Sequence, residues 1–215
     1  MNLNEKFVIT INRELGSGGR TVGKKLAEKL GVPFYDKALI KALQEKYHLT
    51  VEEIEKLKGR NHGWWAEFKR MLSIGVQQSE TKYYQVAIGE EPDLLTTDEI
   101  FLAEQEILKG MAAEESCIIA GRSGFYVLRN HPNRLSILIQ ASMDFRVSRV
   151  ARKQGITPDE ARKTIEKVDK MRENYINKYT KTSRYDTHNY DLVISADGKT
   201  EDEIVKLILS YIGQN

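Results

Sequence analysis

The sequence holds one cysteine, Cys117, and four prolines in 215 residues. A lone cysteine excludes an intrachain disulfide framework and a cysteine-rich zinc site, and it suits a reducing compartment. His48, His62, His131 and His188 are scattered, with no His-x-x-x-His spacing or nearby cysteine, which argues against a transition-metal centre. A Gly-x-Ser-x-Gly elbow is also missing, so nothing supports a serine hydrolase. No apolar run approaches membrane-spanning length, and the opening Met1-Asn-Leu-Asn-Glu-Lys carries no signal-peptide core. These absences lead to the expectation of a cytoplasmic protein with no membrane partner.

An excess of either sign of charge is also missing. The formal net charge is +2, too small to imply nucleic acid or an acidic surface as partner. Its distribution is uneven: Ser142 to Arg184 holds twelve Lys/Arg against six Asp/Glu, which leaves the remainder at −4. The opposite bias runs from Gly89 to Glu106, where Glu90, Glu91, Asp93, Asp98, Glu99, Glu104 and Glu106 meet no Lys or Arg. A phosphate-handling surface is therefore expected in the later half.

What is present is ordinary globular composition, 40% hydrophobic and 30% charged, at a length that suits one α/β domain. Phe7-Val8-Ile9-Thr10-Ile11 is apolar or β-branched throughout, the pattern of a central parallel strand covered on both faces. After a glycine-rich turn, Val22, Leu26 and Leu30 recur at helical spacing, and Gly31 closes the helix. Further strands are expected at Val32 to Tyr35, Cys117 to Ala120, Leu135 to Ile139 and Tyr190 to Ile194, alternating with helices. Those helices run near Lys37 to Tyr47, around Ile100 to Met111 behind a Thr96/Glu99 capping box, and from about Met143 to Lys153. Another starts at Pro158 behind Thr157 and Glu160, and a closing one with Ile204, Leu207, Ile208 and Ile212 finishes the domain. The segment from Lys58 to Thr97, with Trp64, Trp65, Tyr83 and Tyr84, is the least regular and reads as a helical insertion.

Gly16-Ser17-Gly18-Gly19 sits between the first strand and the first helix. Glycines there let successive N–H groups converge on an anion, and the helix dipole favours negative charge. Phosphate is the expected guest of Gly16, Ser17, Gly18, Gly19, Arg20 and Thr21, with the Thr21 hydroxyl placed to meet Mg²⁺. The loop departs from G-x-x-x-x-G-K-[ST]: Gly19 stands for the Lys and Arg13 for the first Gly. Arg20 and Arg13 are the nearest cations able to replace the missing ammonium, since a guanidinium holds phosphate oxygens bidentately. A plain strand-to-helix turn explains the same glycines.

Residues 9 to 23, Ile-Thr-Ile-Asn-Arg-Glu-Leu-Gly-Ser-Gly-Gly-Arg-Thr-Val-Gly, followed by Leu26-Ala-Glu-Lys-Leu-Gly31 and Phe34-Tyr-Asp-Lys37, resemble the cytidylate kinase-like family. The resemblance continues through Ala120-Gly121-Arg122, Ala141-Ser142, Asp169-Lys170-Met171-Arg172 and Tyr190 to Ile194, and is weakest from Gly59 to Thr97. It implies a P-loop kinase-like three-layer α/β fold with a five-stranded parallel sheet. One domain would span 1–215, with a helical acceptor-binding insertion at about 50–97 and a lid at about 153–185. It also implies ATP and Mg²⁺ on the glycine loop, an acceptor phosphate over Arg122, and lid arginines on the transferred group.

Phosphoryl transfer needs charge neutralisation and in-line positioning. Arg13, Arg20, Arg149, Arg152 and Arg172 are the catalytic candidates, and Asp36, Lys41 and Arg122 the acceptor-binding ones. Arg146, Arg149 and Arg152 recur at i, i+3, i+6, where a solvated helix face is the competing explanation. For Arg172 it is an ion pair with Asp169 or Glu173, for Asp36 a helix cap, and for Trp64-Trp65 core packing. The expected activity is transfer of the ATP γ-phosphoryl group to a small acceptor, CMP or dCMP first. Ser123 follows Arg122 where cytidylate kinases carry Asp, so a different small acceptor stays open. So do a nucleotide-binding regulator without turnover and, less favoured, nucleic-acid binding through the basic region.

Overall fold

The computed structural model describes residues 1–36 and 98–214, and the structural statements below concern these. Lys41, the Trp64-Trp65 pair, Thr96, the helix expected at Lys37 to Tyr47 and the insertion at 50–97 lie outside the described residues.

Five strands form one parallel sheet, β1 (Val8–Arg13), β2 (Phe34–Asp36), β3 (Cys117–Ala120), β4 (Arg134–Gln140) and β5 (Leu192–Ser195). Their order is β2-β3-β1-β4-β5. Every residue of β1 is buried, as its near-continuous apolar run requires of a strand paired on both edges and covered on both faces. The register sets Ile9 beside Ile118 on one side and Leu135 on the other. From β1 the chain builds outward in one direction through β2 and β3, then in the other through β4 and β5. The end of β1 is therefore the topological switch point, where an open parallel sheet leaves a crevice for ligand.

The helices are α1 (Gly19–Leu30), α2 (Asp98–Glu114), α3 (Gly124–Val127), α4 (Met143–Gln154), α5 (Pro158–Thr180) and α6 (Glu201–Tyr211). On one face of the sheet, Val22, Leu26 and Ala27 of α1 and Ile204, Val205 and Ile208 of α6 join Ile9, Ile11, Ile137 and Ile139 in the main core. Thr10 points to the other face, where a Cβ on Gly124 of α3 would lie 3.3 Å from its Cγ2. Helix, sheet and helix make the expected three-layer α/β fold. A smaller core of Leu15, Val147, Val150, Ala161, Ile165 and Val168 joins the glycine loop to α4 and α5.

Helix ends follow their sequence signals. Gly31 caps α1 at φ +65, its N–H reaching the carbonyls of Ala27 and Glu28. Thr157 and Glu160 form the expected capping box ahead of Pro158, and Thr200 with Glu203 forms a second one that periodicity alone does not flag. Thr157→Ala should lower stability by about 1 kcal/mol, a fall in melting temperature of roughly 2–4 °C that calorimetry would read.

One expectation shifts. The last strand begins at Leu192 and not Tyr190, because Tyr190 closes the short 3-10 turn Thr187–Asn189 with its N–H on the Thr187 carbonyl. In α6, Val205 completes the buried face and Leu207 stands 40% exposed, since Leu207 lies on the side of Ile204 away from Val205 and Ile208. Among the described residues, no helix is long and apolar enough to cross a membrane.

Candidate functional site

The loop from Glu14 to Gly18 leaves β1 at the switch point. Gly16 and Gly18 adopt φ +87 and +86, conformations that a side chain would strain, and Gly18 caps the start of α1 without a side-chain bond. The Ser17 hydroxyl donates to the Glu14 carbonyl at 3.0 Å, so it closes the turn from within. An open cavity lies over the loop, lined by Arg13, Glu14, Leu15, Gly16, Gly18, Gly19, Arg20, Thr21, Lys153 and Arg172. Of the expected nucleotide-binding set, all but Ser17 line it. Counted from Arg13, the eight-residue motif puts Gly18 at the second Gly, Gly19 at the Lys and Arg20 at the Ser/Thr. Thr21 therefore sits one residue deeper in α1.

The loop is held from behind by one carboxylate. Asp169 Oδ1 accepts the Leu15 N–H at 3.1 Å, and the same side chain meets Arg146 at 2.5 Å, Arg172 at 3.6 Å and Arg184 at 3.5 Å. Arg172 donates to the Arg13 carbonyl at 3.2 Å and Arg184 donates to the same oxygen. Arg184 is fully buried. Glu14 accepts the Ala141 N–H at 3.0 Å and lies 3.6 Å from Arg146 Nε. The competing explanation for Arg172, an ion pair with Asp169, thus coexists with its place at the cavity.

Arg13 explains the missing Lys. A Cβ on Gly19 would fall 2.6 Å from Arg13 Cβ, and one on Gly121 would fall 2.2 Å from Arg13 Nη1. The Arg13 side chain therefore runs across Gly19 towards the turn after β3, and its stem fills the space a side chain at 19 would need. Its guanidinium lies between the glycine loop and Gly121-Arg122.

Three further arginines, Arg20, Arg122 and Arg149, are tied to acids. Arg20 Nε meets Asp36 Oδ2 at 2.7 Å, so those two predicted residues are partners across α1 and β2. Arg149 pairs with Glu201 at the start of α6, and its guanidinium would stand 3.5 Å from a Cβ on Gly18. Burial acts to raise the Glu201 carboxyl, but its own backbone N–H and Arg149 outweigh that and leave it below the ordinary value. Arg122 Nη1 meets Glu104 Oε1 at 2.7 Å, and the Tyr175 hydroxyl donates to the other oxygen at 2.8 Å. Burial first, then the nearby Glu104 charge, pushes the Tyr175 phenol up, so it is a neutral donor at any working pH. Gly121, Arg122 and Ser123 all have positive φ, +87, +52 and +54, strain of the kind that gathers at ligand sites. The Ser123 hydroxyl is buried without a hydrogen-bond partner.

Arg152 is exposed and does not line the cavity. At about 100° per residue it points some 120° from Arg146, whereas Lys153 returns to the Arg146 face. The i, i+3, i+6 spacing thus brings Arg146 and Arg149 to the loop and leaves Arg152 outside. Sequence reasoning also passes over Glu104, Asp169 and Arg184. In sequence Asp169 shows only as a neighbour of Arg172, and a buried carboxylate partner carries no periodic signal.

A parallel sheet ordered 2-3-1-4-5 with a glycine loop at its switch point defines the α/β fold of the phosphate-loop kinases. A gluconokinase from Sinorhizobium meliloti shares it, at 15% identity and a TM-score of 0.52 over 97% of this chain and 92% of that one. Residues 8–197 match the cytidylate kinase-like family, and the chain belongs to it. The cytidylate kinase of Methanopyrus kandleri is 26% identical over 206 residues, 95% of this chain and 92% of the relative. An uncharacterized protein from Eubacterium ventriosum superposes with a TM-score of 0.69 at 25% identity, over 97% of this chain and 99% of that one.

Proposed function

We propose that this chain is an ATP-dependent phosphotransferase, moving the γ-phosphoryl group to a small acceptor, with CMP or dCMP the first to try. The observation that carries the reading is the cavity over the glycine loop, lined by Arg13, Arg20, Lys153 and Arg172 together with Thr21. Four cationic side chains beside a helix N-terminus match the charge of a polyphosphate. Arg20 stands at the motif's Ser/Thr, so Mg²⁺, which keeps most of its waters and takes few protein ligands beside phosphate oxygens, would have as its protein hydroxyl Thr21, one residue deeper but still lining the cavity. Bound there, Mg²⁺ would supply charge neutralisation on the phosphates.

In this reading the loop N–H groups orient the donor, and Arg13 and Arg172 face the group in transfer. An acceptor oxygen forms the new bond to the γ-phosphorus as the bond to the β,γ-bridging oxygen breaks, and ADP leaves. Arg122 takes the acceptor phosphate in exchange for part of its contact with Glu104. Asp36 acts through Arg20, holding that guanidinium at the edge of the cavity. The lid expected at 153–185 is anchored to the loop through Asp169 and Arg184 and, in this reading, carries Lys153 and Arg172 to the donor, while Lys41 belongs to the acceptor side.

A coupled assay for ADP over CMP, dCMP, UMP, AMP and simple sugars tests the reading, and silence with every acceptor would sink it. Tight ATP binding without ADP formation would instead favour a nucleotide-sensing protein, a reading supported by the carboxylates that already hold Arg20 and Arg122. Arg122→Met should raise the acceptor KM by about 10- to 100-fold, the loss of a charged hydrogen bond, and leave the ATP Kd unchanged. Steady-state kinetics with either substrate varied would separate the two.

A further inference from the structure

The face of α4 that meets the glycine loop repeats at i, i+3, i+4, i+7: Arg146, Arg149, Val150 and Lys153. Each does something different there. Arg146 is buried against Asp169 and Glu14, behind the loop. Val150 is fully buried, its Cγ2 3.0 Å from where a Cβ on Gly16 would lie, and the Arg146 carbonyl would be 2.9 Å from the same point. Those approaches fix α4 against the loop with little room to slide. Arg149 lies over Gly18 and is bound to Glu201. Lys153, one turn further, lines the cavity itself.

We infer that Lys153 is the ammonium that contacts the donor's β- and γ-phosphates, delivered from α4 and not from the glycine loop. The inference rests on the phosphotransferase reading and names the residue that completes it. Position 19, where the motif sets its Lys, is closed by the Arg13 stem. A point charge with a flexible four-carbon reach does what a fixed guanidinium fork does not, following phosphate oxygens as they move. Gly155 ends α4 at φ +66, so Lys153 sits in the last turn, with no further helical turn above it. The expected lid at 153–185 begins at this residue, which would link the cation's position to the path of the chain that follows.

The test is binding of ATP, tripolyphosphate and adenosine to the full chain by calorimetry. It compares wild type with Lys153→Met, Lys153→Arg and, as a control for net charge, Lys163→Met on the exposed face of α5. Lys153→Met is expected to weaken ATP and tripolyphosphate 10- to 100-fold and leave adenosine unchanged. Lys153→Arg should recover most of the loss, and Lys163→Met should behave as wild type. Circular dichroism confirms folding of each variant. If wild type binds ATP and Lys153→Met binds it equally well, or if adenosine weakens in step with ATP, the assignment of Lys153 is overturned and the phosphotransferase reading stands. If wild type binds neither ATP nor tripolyphosphate, both fall.

Discussion

Replacing Gly19 by lysine, the residue the phosphate-loop motif prescribes, is expected to lower kcat/KM by at least about 100-fold and not to raise it. Two effects oppose each other. A lysine in register would add a charged contact to phosphate worth about 1.5–3 kcal/mol. Its Cβ, however, would lie 2.6 Å from Arg13 Cβ, at the root of a side chain that has nowhere to go. Overpacking of this kind costs about 1–3 kcal/mol in stability. It also drives the Arg13 guanidinium away from Gly121, which removes a cation from between the two substrates. The clash wins because a displaced loop forfeits the alignment of every donor on it. Gly19→Ala should already show most of the loss, since the conflict is at Cβ. Pairing Gly19→Lys with Arg13→Gly rebuilds both motif positions, clears the space and should recover ATP affinity relative to the single variant. Titration calorimetry and initial rates check all three, and a Gly19→Lys enzyme that binds ATP more tightly than wild type would refute the steric account.

That pair also shows what can be read from residues alone. The strands, the loop and most helix ends are legible because each is a local pattern: the β-branched run before Asn12, Gly31 after Leu30, Thr157 with Glu160. The absence of the motif Lys is legible too, but its cause is not. The crossing of Arg13 over Gly19 towards Gly121 joins residues more than a hundred positions apart, and only the fold brings them together. Arg152 and Lys153 differ by one step of helical phase, which a spacing of three cannot resolve and a spacing of seven does. Asp36 reads in sequence as a cap or an acceptor ligand, and its salt bridge to Arg20 becomes visible only once β2 lies beside α1. Buried acids such as Glu104 and Asp169 look in sequence like any solvated charge. Their meaning comes from the arginines around them.

Asp169→Asn should be strongly destabilising. The carboxylate is 8% exposed and faces Arg146, Arg172 and Arg184, of which Arg146 and Arg184 are themselves 7% and 0% exposed. Solvent screening is therefore weak, and neutralising the acid leaves buried guanidinium groups facing one another. Glu14 partly compensates Arg146, at 3.6 Å, whereas the Arg184 guanidinium spans Asp169 and the neutral Arg13 carbonyl. Breaking a buried pair from one side costs about 3–5 kcal/mol. At roughly 2–4 °C per kcal/mol for a chain of this size, the melting temperature should fall by roughly 6–20 °C. Asn can still accept the Leu15 N–H, so Asp169→Ala should cost more than Asp169→Asn by the penalty for a buried unpaired N–H, roughly 1–3 kcal/mol. Arg184→Met provides the contrast: Asp169 keeps Arg146 and Arg172, the Arg13 carbonyl keeps Arg172, and Met fills similar volume, so it should cost less than Asp169→Asn. If thermal denaturation ranks the two the other way, the loop is held by the packing of Arg184 and not by the charge of Asp169.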